Sequence, residues 1–150
     1  MAQDQLQKFF QEKKQKAQPA GVDWGVKRDA WIAAVSDLYR KIEDDYLKAA
    51  KADVDIERRD KVVTENQIGE YHVPDLVLCV GDEEVVFSPR GTNIVGARGR
   101  IDVEGERGDA TIVWRGEDDW SIVVSRTPRL RLVELTADSL ADLLKGIMRP

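Results

Sequence analysis

Residues 88–102 read Ser88-Pro-Arg-Gly-Thr-Asn-Ile-Val-Gly-Ala-Arg-Gly-Arg-Ile-Asp102, and they join two strand-like runs. Pro89 fixes its own φ and keeps Ser88 extended. Gly91, Gly96 and Gly99 permit positive φ or the close approach of another backbone. From Arg98 the chain alternates. Arg98, Arg100, Asp102 and Glu104 fall on one face of a strand, and Gly99, Ile101 and Val103 fall on the other. The turn Gly105-Glu-Arg-Gly108 and the run Ala110 to Trp114 follow, so this part of the chain reads as antiparallel hairpins.

Three arginines, Arg90, Arg98 and Arg100, lie within eleven positions. The guanidinium is a planar fork of donors suited to carboxylates and other anions. The expectation is a ligand- or partner-binding patch of Arg90, Arg98, Arg100 and Asp102. In it Asp102 holds one guanidinium and leaves another open to an acidic group. The alternative is a solvated strand face with ion pairs worth about 0–1 kcal/mol each.

Working outward toward the C-terminus, Trp120 to Ser125 and Leu130 to Leu135 read as further strands, with Thr127-Pro128 between them. Thr136 is an N-cap, and Leu140, Leu143, Leu144, Ile147 and Met148 form the apolar stripe of a closing helix over 136–148. Toward the N-terminus, Leu76 to Val80 is apolar throughout and pairs with Val85 to Phe87. Residues 67–74 read as a connector, and residues 54–63 as a charged edge strand. From Asp23, an N-cap, to Ala50 one narrow arc carries Trp24, Trp31, Val35, Leu38, Ile42, Tyr46 and Ala49, which predicts a long amphipathic helix. Residues 3–17 predict a thin polar helix ending at Gln18-Pro-Ala-Gly21, with Phe9 and Phe10 as candidate partner contacts. The fold class expected is α+β: an antiparallel meander of five to seven strands (54–135) under the 23–50 and 136–148 helices. All 150 residues form one domain, with 1–18 peripheral.

Composition narrows the function. Hydrophobic residues at 42% and charged residues at 34% suit a soluble globular chain, and no apolar run reaches the length of a membrane span. Residues 1–52 hold ten Lys/Arg and eight Asp/Glu; residues 53–150 hold thirteen and twenty, so the acidity lies in the second part. A net charge of −5 lacks the basic footprint of a duplex-DNA binder, and nucleic acid is not an expected partner. Cys79 is the sole cysteine, and residues 1–18 have no apolar h-region, so the expected location is cytoplasmic. His72 is the sole histidine, which excludes Cys/His zinc clusters and two-histidine metal sites.

Catalytic motifs fail on inventory. There is no Gly-x-Ser-x-Gly elbow, no Walker loop and no dinucleotide fingerprint. Cys79 sits in an apolar strand and reads as an inert buried thiol. Glu65, Glu70, Asp75 and Asp102 have no spacing diagnostic of a hard-metal site.

Gly99-Arg-Ile-Asp-Val103, a turn, then Ala110-Thr-Ile-Val-Trp-Arg115 is similar to the metal-binding hairpin of PD-(D/E)XK nucleases. The resemblance covers under a fifth of the chain. It puts Asp102 at the family's first acidic position. The acidic-x-Lys triplet that completes the Mg²⁺ site reads Val113-Trp-Arg115 here. The resemblance therefore implies a degenerate hairpin that cannot cleave by that mechanism.

The function expected is a non-catalytic protein-binding domain: an adaptor, a chaperone-like subunit or an immunity-type inhibitor. It has no cofactor, no metal and no membrane partner, and homo-oligomerisation is left open. The alternative is a ligand-binding or enzymatic domain whose polar site is the arginine–carboxylate face with Glu65 and Glu70.

Overall fold

A computed structural model describes residues 4–10, 23–92, 97–125, 127 and 129–150. Ile94, Val95 and Gly96 of the central stretch, the break at Pro19 and Gly21, Pro128, and residues 11–17 of the N-terminal reading lie outside them. Nine strands are described: β1 (Asp55–Arg59), β2 (Val62–Glu65), β3 (Gly69–His72), β4 (Asp75–Val80), β5 (Glu83–Gly91), β6 (Gly99–Gly105), β7 (Gly108–Trp114), β8 (Trp120–Ser125) and β9 (Arg131–Glu134). Seven form one antiparallel sheet in the order β1-β4-β5-β6-β7-β8-β9, and β2 and β3 pair separately. The α+β class and the β4–β9 meander follow the alternation in the sequence. No helix among the described residues is long and apolar enough to cross a membrane.

Two helices cover one face of the sheet. The first, α1 (Trp24–Arg40), starts at Asp23, whose carboxylate accepts from the backbone N–H groups of Gly25 and Val26. Residues Lys41–Lys48 continue it as a π-helix, so the α-helix is shorter than the 23–50 span expected. A π turn is wider than an α turn. Leu38 and Ile42 are buried and Tyr46 is half-buried against the core. The second helix, α2 (Ala137–Ile147), begins in a capping box between Thr136 and Ser139 and buries Leu140, Leu143 and Ile147. Residues 4–10 are helical.

The core is organised by one row across the sheet. The register pairs Gly99 with Trp114 and Trp114 with Trp120. Trp31 of α1 sits over the glycine end of that row, 5.9 Å from the Trp114 ring and 6.0 Å from the Trp120 ring. Three indoles thus meet where one position has no side chain, which is how so much aromatic area packs without a void. At the other end of the sheet Tyr39 donates to the Pro74 carbonyl at 2.8 Å. Burial, first, and the Asp75 carboxylate, second, push its phenol well above the ordinary range.

The connector expected over 67–74 contains a strand. Residues Gly69–His72 pair with Val62–Glu65, and Tyr71 is buried. Val54 to Val63, read as one edge strand, divides into β1, which is the charged edge, and the first strand of this hairpin.

Candidate functional site

The face of the sheet opposite the helices carries the arginine stretch. Alternation places Arg100, Asp102 and Glu104 there, and a register shift between Pro89 and Gly91 brings Arg90 beside them. Arg100 donates Nε to Asp102 Oδ1 and Nη2 to Oδ2, both at 3.0 Å. Arg90 donates Nε to Asp102 Oδ2 at 3.0 Å and Nη2 to Glu104 at 3.2 Å. One carboxylate therefore holds two guanidiniums. Of the two arginines expected to share a face with Asp102, Arg100 is held by it and Arg98 is not.

Arg98 is separate. Its backbone N–H donates to the Trp114 carbonyl at 2.6 Å, and its side chain lies over Gly116. Among the described residues it forms no ion pair. It opens on a groove of about 720 Å³ that Arg115, Asp119 and Glu134 also line. The turn 115–119 separates this groove from a second of about 500 Å³ along α1 and the π-helix. Ala34, Leu38 and Trp120 line the second groove with Asp37, Asp44, Asp45, Glu117 and Asp118; Arg40 and Lys41 are its two cations. Arg40 pairs with Asp37, and Asp44 with Lys48, each at 3.7 Å. Asp45, Glu117 and Asp118 have no ion pair among the described residues.

Other polar groups are committed to structure. Lys61 donates to Ser88 Oγ at 2.7 Å and to the Pro89 carbonyl at 2.6 Å. Its Nζ lies 2.8 Å from Asp75 Oδ1, an ion pair without hydrogen-bond alignment. Ser88, which accepts this bond, is buried. Glu65 accepts from Tyr71 Oη at 2.6 Å and from Thr92 N at 2.8 Å and Oγ1 at 3.0 Å. Gly91, at φ 141°, lies against that carboxylate, where a Cβ would come within 2.8 Å of Glu65 Cδ. Burial, then the bond to Glu65, pushes the Tyr71 phenol up. Glu70 is exposed and does not join the arginine face.

Glu65, Asp75 and Asp102 thus have separate partners, and no group of three His, Cys, Asp or Glu among the described residues is arranged to hold a metal. His72 is exposed and faces Asp60 at 3.0 Å. Cys79 is half-buried rather than buried; desolvation and then Glu84 push its thiol up, away from thiolate chemistry. Phe9 and Phe10 are exposed in the 4–10 helix, their rings 5.6 Å apart.

The residues that sequence reasoning missed are Arg115, Asp45, Glu117, Asp118 and Trp120. Counting along from the Gly105–Gly108 turn would have placed Arg115 just past the end of β7, beside the start of β6. The acidic groove joins distant segments, α1 and the 115–119 turn, and alternation within one strand carries no signal for it.

No protein-family model, curated protein or solved structure matches this chain.

Proposed function

We propose that the chain is a non-catalytic domain that acts by binding another protein, as an adaptor, chaperone-like subunit or inhibitor directed at a basic surface. One observation carries the reading: the groove between α1 and the 115–119 turn has apolar walls and an acidic rim. Five carboxylates face two cations there, and Trp120, 7% exposed, lies with Leu38 among the apolar residues. A lysine or arginine side chain has the matching shape, an apolar stem and a charged head. A cation 4 Å from one carboxylate gains about 1 kcal/mol in water and about 4 kcal/mol at the effective dielectric near a protein surface. A cytoplasmic location is part of the same reading and rests on the lone Cys79.

The test is affinity purification with the wild-type chain and with a variant carrying Asp45→Lys, Glu117→Lys and Asp118→Lys. The reading expects a partner with a basic surface that the variant loses and Arg90→Ala retains. Identical retention by the charge-reversed variant would overturn it.

A further inference from the structure

Arg98 lies one residue before β6 and Arg115 one residue after β7, and the Arg98 N–H bonds to the Trp114 carbonyl one step off the Gly99–Trp114 register. Arg28, Arg40, Arg58, Arg59, Arg90, Arg100 and Arg149 all have carboxylate partners. Arg98 and Arg115, like Arg107, Arg129 and Arg131, have none among the described residues; Arg98 and Arg115 share one groove.

The local backbone fits this placement. Gly116 adopts φ 118°, and a Cβ there would lie 3.5 Å from Cζ and Nε of Arg98. The bare turn lets the guanidinium lie against it. Bonds from Arg115 N to the Asp119 carbonyl and from Asp119 N to the Gly116 carbonyl, both 2.9 Å, fix the turn. The Arg98 fork therefore lies against a fixed turn before any ligand arrives, which lowers the ordering cost of binding.

The other lining groups select the charge of the ligand. Glu117, Asp118, Asp119 and Glu134 share the groove. A phosphate dianion meets about twice the repulsion from them that a carboxylate meets at the same distance. The carboxylate is also planar and matches the arginine fork. We propose that Arg98 and Arg115 form a binding site for a carboxylate group. This site shares Glu117 and Asp118 with the acidic groove, but its existence does not rest on that reading.

The experiment is an NMR titration of the ¹⁵N-labelled chain, reading arginine Nε–Hε and backbone signals. The probes are sodium acetate, inorganic phosphate and sodium chloride at matched ionic strength. Acetate is expected to shift Arg98, Arg115, Gly116 and Asp119 saturably, and phosphate to shift them less. The signals of exposed Arg107 and Arg131 should follow ionic strength alone. Arg98→Gln should abolish the response, and Arg90→Gln should preserve it. Equal shifts in all exposed arginines, a response surviving in Arg98→Gln, or phosphate outcompeting acetate would each overturn the proposal.

Discussion

The ring of Trp31 occupies the space that a Cβ on Gly99 would fill. This contact joins the main helix to the strand that carries the arginines. Gly99 lies between Arg98, which turns to the groove, and Arg100, which turns to Asp102. Gly99→Ala should therefore cost about 1–3 kcal/mol by overpacking. Trp31→Ala should cost about 3–5 kcal/mol. In urea unfolding, Gly99→Ala with Trp31→Phe should lose less than the sum of the single variants. Strict additivity would contradict direct packing between the two positions.

Removing Asp102 strips Arg90 and Arg100 of a shared partner, but both arginine side chains are well exposed, at 47% and 39%. Solvent screening holds such pairs to about 0–1 kcal/mol. Asp102→Ala should lower the melting temperature only slightly. A loss above about 3 kcal/mol would make this carboxylate a structural centre instead of a surface clamp.

Lys61 ties the β1–β2 link to β5 and to Asp75. Lys61→Met leaves Asp75 partly buried without its cation. The expected cost is about 1–3 kcal/mol in urea unfolding, because an abandoned buried polar group loses its compensation. Wild-type stability in this variant would contradict the clamp.

Alkaline pH should destabilise the domain. Tyr39 and Tyr71 have phenols raised by burial, followed by Asp75 for the first and the Glu65 bond for the second. In the unfolded chain both titrate near about pH 10. Above that value the unfolded state has lost protons that the folded state keeps, so unfolding becomes more favourable as pH rises. Urea midpoints measured from about pH 8 to about pH 11 should fall, and less steeply in Tyr71→Phe. Flat midpoints across that window would contradict the burial of both hydroxyls.

Much of the fold was legible because its strands alternate and its turns are punctuated. Gly105 and Gly108 bracket the β6–β7 turn, and the Thr136 cap marks the start of α2. The strand Gly69–His72 was hidden, since Tyr71 is its only buried side chain and pairing with β2, not apolar pattern, defines it. At the site, period-two alternation correctly grouped Arg100, Asp102 and Glu104. It could not bring Arg90 across from β5, because that depends on the register shift after Pro89. Nor could it separate Arg98 from Arg100, because Arg98 lies just before β6 begins and packs on Gly116.

The most direct test of the binding account is the response of the groove itself to a basic ligand. The ¹⁵N-labelled chain is titrated with acetyl-Arg-Gly-Arg-amide at low ionic strength, where surface charges are least screened. The account predicts saturable shifts at the Trp120 indole N–H, Asp45, Glu117 and Asp118, removed by Asp45→Asn with Glu117→Gln. Shifts spread evenly over exposed carboxylates such as Asp109, Asp138 and Asp142, or no change at Trp120, would contradict it.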